Sequence, residues 1–259
     1  MPETNREPED REAVDEAALS ARLESVRAEI ADAERAAGRE PGGVDLLPVS
    51  KFHPAAAARA ITRLGVTDLG ENRDQEARDK AAEVPEAAFH MIGQIQTKKA
   101  NSVARWAAAV HSVDSVRLPG KVHPRGAPPP ARGDRSAAAP GGALGRFAAE
   151  GVVPCLVQLS ADGDTSRGGA TEEDLPAVLD ALEAAEHLAA AGVMCVPPLD
   201  SDPKEVFDRA RAIADREGER LGRNLVLSAG MTADLTEAIA AGSDIVRVGT
   251  AIFGPRPVA

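Results

Sequence analysis

The chain has 259 residues, enough to bury one large core and within the size range in which an α/β barrel forms a single domain. Its formal net charge of -11 opposes binding to nucleic acid or to an anionic membrane surface. Cys155 and Cys195 are too few for a disulfide framework or a zinc site, and the histidines show no metal-ligand spacing. These features predict a cytoplasmic protein that binds small molecules and no metal.

The chain begins with a polar tail and a helix. Residues 1–11 are rich in acidic side chains and have no apolar stretch typical of a signal peptide or membrane anchor, so we expect a disordered tail before a domain spanning 12–259. A helix that precedes the main fold is then predicted, with Gly38 as its stop. Its apolar residues recur at helical spacing: Leu19, Leu23, Val26, Ile30 and Ala33.

Eight short apolar runs follow, most of them separated by helix-length amphipathic stretches such as PAAAARAITRLG, TEEDLPAVLDALEAAEHLAAAG and DPKEVFDRARAIADREGERLG. The runs are VDLLPVS, VTDLG, AFHMIG, AVHSVD, VVPCLVQLS, GVMCVP, NLVLSAG and DIVRVG. Repeated βα units predict an α/β protein with a parallel sheet. Eight repeats favour a single-domain TIM-like (β/α)8 barrel with an extra N-terminal helix. An open, doubly wound sheet is the alternative.

Residues 118–145, between the fourth and fifth strands, interrupt this pattern. They contain six prolines, and an interior proline destabilises a helix by about 3 kcal/mol, so a continuous helix is excluded. A short helix is expected only near GALGRFAAEG. The composition predicts a disordered or irregular segment. A polyproline segment that binds a partner and a helix lost through a shifted reading frame are the alternatives.

The strand ends carry most of the candidate site residues, because in a TIM barrel the C-terminal ends of the strands share one mouth. The seventh and eighth strands end in SAGM and VGTAIFG, which place hydroxyl and N–H groups at the starts of short helices. The loops after these two strands are a frequent phosphate site of the fold. Glycines that only form tight turns are the alternative.

Two cations indicate which phosphate compound would bind. Lys51 follows the first strand and is either a solvated surface residue or an amine that condenses with an aldehyde. Arg247 lies within an apolar strand, where it requires a ligand or a carboxylate as partner. An amine beside a phosphate site points to pyridoxal 5'-phosphate (PLP), which carries both an aldehyde and a phosphate. Arg247 would then face the pyridine nitrogen.

Seven motifs occur in order along nearly the whole chain: PVSK, LGENRDQEARDKA, FHMIGQIQTKK, HSVDS, VMCVPPL, LSAGMTADLTEAI and VRVGTAIFG. Together they resemble the pyridoxal phosphate homeostasis protein family, whose members are single-domain relatives of the N-terminal barrel of alanine racemase. Two positions depart from the family pattern. Lys98 in QTKK replaces the usual asparagine, and Ala229 in SAGM replaces methionine. We place Lys98 on the solvated face of a helix in TKKANSVARWA, with Val103 and Trp106 inward.

The resemblance implies roles for individual residues. Lys51 would form the Schiff base with PLP, Asn72 and His90 would line the pocket near the ring, and Arg247 would lie beside the pyridine nitrogen. Arginine keeps its proton and donates a hydrogen bond, which leaves that nitrogen unprotonated and makes the ring a weaker electron sink. The implied phosphate ligands are Ser228 and the backbone N–H groups of Gly249 and Thr250.

The function that the resemblance implies is intracellular PLP (vitamin B6) and amino-acid homeostasis, with PLP-dependent apo-enzymes as recipients of the cofactor. A racemase needs acid and base groups on both faces of the reacting carbanion. The chain has no tyrosine, the residue that supplies the second base in alanine racemase, and we expect it to lack that enzyme's β domain. We therefore predict a carrier without catalytic residues, as a monomer or weak dimer. A PLP-dependent racemase with weak or specialised activity, and a barrel enzyme that uses only the phosphate site, are the alternatives.

Overall fold

The computed structural model describes residues 14–121, 141–148 and 152–256. It confirms the predicted single-domain TIM-like (β/α)8 barrel, with all eight strands parallel. The strands β1 to β8 are Asp45–Pro48, Asp68–Glu71, Ala88–Met91, Ala109–Val113, Val153–Leu159, Leu188–Cys195, Val226–Ser228 and Ile245–Val248. The helices α1 to α9 are Glu16–Ala36, Ala55–Arg63, Asp74–Glu83, Ala100–Val103, Gly142–Ala148, Leu175–Glu183, Pro203–Leu221, Leu235–Ala240 and Thr250–Phe253.

The barrel closes at a seam between β1 and β2. The strand order is β1-β8-β7-β6-β5-β4-β3-β2, so these two strands lie at the ends of the hydrogen-bonded series. A bridge joins Val49 to Gly70, and the Ser50 N–H donates to the Gly70 carbonyl at 3.0 Å. A Cβ at Gly70 would lie 3.2 Å from Ile92 Cδ1 and 3.3 Å from Val49 Cγ2. The glycine therefore leaves room for neighbouring side chains at the seam.

The predicted N-terminal helix is confirmed as α1. The carboxylate of Asp15 accepts a hydrogen bond from the Ala18 N–H at 2.9 Å and so caps its first turn. All five predicted apolar residues are buried, and Gly38, with φ 69°, follows the helix end. Arg22 donates to the carbonyl of Ile252 in α9 at 2.6 Å, which joins this helix to the last one of the barrel.

The prediction for the stretch before the sixth strand is wrong at its C-terminal end. TEEDLPAVLDALEAAEHLAAAG has a helical pattern, but α6 ends at Glu183 and residues 188–191 begin β6. Leu188 pairs with Val153, and Ala190 pairs with Cys155. Alanine favours helices in isolation, yet pairing with β5 overrides this weak preference.

The helix predicted in TKKANSVARWA is shorter than its pattern indicates. A 3-10 turn spans Thr97–Lys99, and α4 ends at Val103. Val103 and Trp106 are buried and Lys98 is exposed, as predicted. Trp106 lies beyond the helix, where its Nε1 donates to Asp74 Oδ1 at 3.0 Å.

The short helix predicted near GALGRFAAEG is confirmed as α5. The rest of the proline-rich stretch from residue 122 to 140, like the predicted tail 1–11, lies outside the described residues. Leu144 is buried in a cluster with interior barrel residues such as Leu47 and Leu156. The Ala143 N–H donates at 2.6 Å to Asp45, the first residue of β1. Thus α5 covers the N-terminal end of the barrel. Within the described ranges no helix is long and apolar enough to cross a bilayer.

Leu144→Ala is expected to lower the free energy of unfolding by about 2–5 kcal/mol, because truncating a buried leucine leaves a cavity. Urea denaturation followed by far-UV circular dichroism measures this change. Leu199→Ala is the matched control, since Leu199 is 100% exposed and its truncation should change stability by no more than about 0.5 kcal/mol. Equal effects of the two substitutions would contradict the packing of α5 against the barrel.

Candidate functional site

Lys51 is half-buried just beyond β1, in a loop that is fixed on both sides. On one side, Ser50 Oγ donates to Glu71 Oε1 at 2.6 Å. On the other, the Phe52 N–H donates to Glu76 Oε1 at 2.6 Å. Phe52 has φ 69°, a left-handed conformation that costs energy for a residue other than glycine. These contacts hold the backbone on either side of the amine in one conformation.

A buried ion cluster underlies this loop. Lys80 Nζ in α3 donates to Glu71 Oε1 at 2.6 Å, to Glu76 Oε1 at 2.8 Å and to the Ser50 carbonyl at 2.7 Å. Burial raises the pKa of the Glu71 carboxyl, and the charge and hydrogen bond of Lys80 oppose that rise. None of the three charged residues of this cluster was predicted from the sequence as part of the site. The cluster's one local signal is the spacing of Glu76 and Lys80, which places them on one face of a helix.

The amine of Lys51 is suited to act as a nucleophile. Partial burial lowers its pKa, the charge of Arg256 lowers it further, and Glu71 opposes the shift. A lower pKa leaves a larger fraction of the amine unprotonated near neutral pH, and the unprotonated amine is the form that attacks an aldehyde. Burial and charge at this position therefore favour condensation chemistry.

Asn72 lies beside this loop with an unused acceptor. Its Oδ1 is buried and has no hydrogen-bond partner among the residues that the structure describes. A Cβ at Gly93 would lie 2.3 Å from the Asn72 carbonyl oxygen, so the loop after β3 packs directly on the Asn72 backbone. Buried polar atoms are rarely left without a partner, so the open acceptor of Asn72 is a candidate ligand contact.

Arg247 and Ser228 meet in the barrel interior, where Arg247 lies on β8, the strand that pairs with β1, and Ser228 ends β7. Arg247 is buried, and its Nη1 donates to Ser228 Oγ at 2.8 Å while its Nη2 donates to the Cys195 carbonyl at 2.9 Å. In the described part of the chain no carboxylate forms an ion pair with Arg247. The sequence predicted either a ligand or a carboxylate as the partner of Arg247. Among the described residues, its partners are a hydroxyl and a carbonyl group. The remaining N–H groups of the guanidinium can serve a ligand.

The turn after β8 carries the other two predicted phosphate contacts. Gly249 is half-buried and Thr250 is exposed. The Gly249 carbonyl accepts hydrogen bonds from the N–H groups of Ile252 and Phe253 at 2.9 and 3.0 Å. The first N–H groups of a helix have no acceptor within that helix, so those at the start of α9 are available to an anion.

His90 is connected to the opposite end of the barrel. It is 3% exposed, and its Nε2 lies 3.0 Å from Oδ1 of Asp68, the first residue of β2. Its Nδ1 lies 3.2 Å from His111 Nε2, and His111 Nδ1 lies 3.0 Å from Ser228 Oγ. His90 therefore reaches the mouth through His111. His111 was not among the predicted site residues, although a histidine inside the apolar run AVHSVD is a signal of the same kind as Arg247.

The class of protein follows from the family and from the fold. The family described as alanine racemase, N-terminal domain, matches residues 21–257. The alanine racemase of Corynebacterium glutamicum has the same fold, with a TM-score of 0.63 at 17% identity, and the match covers 94% of this chain and 62% of that one. The barrel is thus of the alanine racemase N-terminal type.

Single-domain relatives are more similar in sequence. The pyridoxal phosphate homeostasis protein of Corynebacterium glutamicum is 48% identical over 221 residues, which cover 85% of this chain and 94% of that protein. The Escherichia coli protein of the same name is 31% identical, over 90% of this chain and 95% of its own length. The structure of PipY from Synechococcus elongatus with PLP bound matches with a TM-score of 0.70 at 30% identity, over 91% of this chain and 100% of PipY. The chain belongs to the pyridoxal phosphate homeostasis protein family, which confirms the resemblance seen in the motifs.

Lys80→Met is expected to lower the free energy of unfolding by about 3–5 kcal/mol near neutral pH, because it leaves Glu71 as a buried charge without a partner. The loss should shrink as the pH falls. Burial raises the folded-state pKa of Glu71, and a carboxyl with a raised pKa destabilises the fold as pH rises through that value. Urea denaturation across a pH series measures the effect.

The double variant Glu71→Gln with Lys80→Met is the control for this prediction, since it removes both charges. Its stability should depend less on pH than that of Lys80→Met. A destabilisation of the single variant that does not change with pH would contradict the role assigned to Glu71.

Proposed function

We propose that this protein binds PLP at the barrel mouth through a Schiff base on Lys51 and acts in intracellular PLP and amino-acid homeostasis, as a carrier without robust catalysis. The observation that carries the proposal is the placement of Lys51. Its amine has a lowered pKa and lies in a fixed loop at the mouth of a barrel whose interior also holds Arg247. The relative PipY, 30% identical, has been solved with PLP bound.

The residues at the mouth fit this cofactor. PLP supplies an aldehyde that condenses with an amine and a ring that withdraws electrons. Lys51 provides the amine, and the buried, unpartnered Oδ1 of Asn72 provides an open polar contact near it. The phosphate would be held by Ser228 and by the backbone N–H groups of Gly249 and Thr250.

Arg247 would disfavour catalysis by PLP bound at this site. A guanidinium does not readily lose its proton, so beside the pyridine nitrogen of bound PLP Arg247 would donate a hydrogen bond and would leave that nitrogen unprotonated. An unprotonated ring is a weaker electron sink and favours storage of the cofactor over turnover. PLP-dependent apo-enzymes are the recipients that a carrier of this kind would supply.

A PLP-dependent racemase with weak or specialised activity is the alternative. Such an enzyme needs acid and base groups on both faces of the bound substrate. Lys51 supplies one of them, whereas the sequence holds no tyrosine to supply the other as in alanine racemase. The likeness to alanine racemase itself, at 17% identity, concerns the fold.

The attachment site can be tested by incubating the purified protein with PLP, reducing it with borohydride and mapping the modified peptide. We expect the label on Lys51. Lys51→Ala should abolish the label and the visible absorption of the bound cofactor while changing stability little, since a half-buried amine at the mouth leaves no core cavity. Lys98→Ala, at an exposed lysine, is the control and should keep both signals. A label on a different lysine in the wild type would contradict the assignment.

Catalysis can be tested separately on protein saturated with PLP. We expect no racemisation of alanine above the rate of free PLP, because the ring is a weak electron sink. Chiral chromatography of timed samples measures the rate. Turnover near the enzyme median of about 10 per second would support the racemase alternative.

A further inference from the structure

A continuous series of hydrogen bonds crosses the barrel interior from the mouth to the N-terminal end. Its four distances are 2.8 Å from Arg247 Nη1 to Ser228 Oγ, 3.0 Å from Ser228 Oγ to His111 Nδ1, 3.2 Å from His111 Nε2 to His90 Nδ1 and 3.0 Å from His90 Nε2 to Asp68 Oδ1. Ser228 and His111 are fully buried, and His90 is nearly so. We call these five residues the interior relay.

The positions of the hydrogens in the interior relay follow from its two ends. Burial alone would raise the pKa of Asp68, but its hydrogen bonds with His90, the Gly141 N–H and Thr67 lower it, so the carboxylate is ionised and accepts a hydrogen from His90 Nε2. In a neutral His90 the Nδ1 is then an acceptor, which requires a hydrogen on His111 Nε2. Burial holds the pKa of His111 well below its usual value, and the positive charge of Arg247 lowers it further, so His111 carries only that one hydrogen.

Ser228 must therefore donate its hydroxyl hydrogen to His111 Nδ1. This direction agrees with Arg247, which can only donate and so uses a lone pair of Ser228 Oγ. Every hydrogen in the relay then points from the cation at the mouth towards the anion at the base. As a consequence, the Ser228 hydroxyl has no hydrogen left to donate to a phosphate.

We propose that binding of a phosphate at the mouth reverses the interior relay and stores one proton on His90. This inference rests on the proposed function, in which Ser228 is a phosphate ligand. The Ser228 hydrogen moves to His111 Nδ1, and the His111 Nε2 hydrogen moves to His90 Nδ1. A proton from the phosphate monoanion or from solvent at the mouth replaces the one that Ser228 has lost. Ser228 then accepts from His111 and Arg247 and donates to the phosphate dianion.

The charges around the relay favour His90 as the place where the proton rests. His90 meets the Asp68 carboxylate of β2, lies near the Asp45 carboxylate of β1, and faces His111 of β4. Among the residues that the structure describes, His111 bonds to no carboxylate, and the positive charge of Arg247 from β8 acts on it. Just before α5, the Gly141 N–H donates to Asp68 Oδ1 at 3.0 Å. A positive charge on His90 is thus stabilised by two carboxylates.

Isothermal titration calorimetry in two buffers with different ionisation enthalpies counts the protons taken up when PLP binds. At about pH 8, we expect the wild type to take up about one proton more than His90→Gln, because glutamine cannot hold the proton. The protons that the ligand itself gains or loses are the same in both proteins, so they cancel in the difference between the two measurements. His187→Gln, at a histidine on the loop before β6, is the matched control and should behave as the wild type.

The outcomes separate the two proposals. Equal proton uptake by the wild type and His90→Gln, with PLP bound to both, would overturn the relay reversal and leave PLP binding intact. Absence of PLP binding to the wild type would overturn the proposed function, and the reversal with it. Pyridoxal, which lacks the phosphate, should bind to the wild type without the additional proton.

A second measurement on the wild type keeps the test independent of how the variant folds. Nitrogen-15 NMR of histidine-labelled protein reports which ring nitrogens carry hydrogen. We expect His90 and His111 each to carry hydrogen on Nε2 alone in the free protein. With PLP bound, His90 should carry hydrogen on both nitrogens and His111 on Nδ1. A His90 that remains singly protonated in the complex, or different tautomers in the free protein, would overturn the proposal.

Discussion

Both the closed barrel and the loop around Lys51 depend on the hydrogen bonds that the buried amine of Lys80 donates. The seam between β1 and β2 has a sparse backbone ladder, and Lys80 spans it by donating to the Ser50 carbonyl at the end of one strand and to Glu71 at the end of the other. Burying an ion pair costs free energy because both charges lose their water. What the pair provides in return is a fixed geometry of the groups around it. Here that geometry is the position of the backbone beside Lys51.

A second buried charge, Arg247, lies on β8, the strand that pairs with β1. Arg247 lies in the interior without a carboxylate beside it in the described ranges, and its hydrogen bonds go to Ser228 and the Cys195 carbonyl. A series of hydrogen bonds leads from Arg247 through Ser228, His111 and His90 to the Asp68 carboxylate. A barrel interior usually consists of packed apolar layers, and this one gives up part of that packing for a polar path. The replacement of apolar packing by polar groups is expected where the interior of the barrel serves a ligand site.

The elements that could be predicted from the sequence are those whose signals are local. Strand runs, the α1 periodicity and the position of Lys51 at a strand end each depend on residues close together in the chain, and the structure places them as predicted. The Lys80 cluster and the link from His90 through His111 to Ser228 depend on which strands become neighbours, which no local pattern specifies. The start of β6 was misassigned for the same reason, because Leu188 pairs with Val153 from a different strand.

The position of α5 also determines when the barrel can be completed. Gly141 and Ala143 bond to Asp68 and Asp45, partners that lie 73 and 98 positions earlier in the chain. Contacts between residues so far apart form late, because a long loop must be ordered before they contribute. During synthesis, the carboxylates of Asp45 and Asp68 at the starts of the first two strands therefore remain uncovered until the fifth helix has emerged. The base of this barrel is sealed by a segment from the middle of the chain, after its first four strands have already been made.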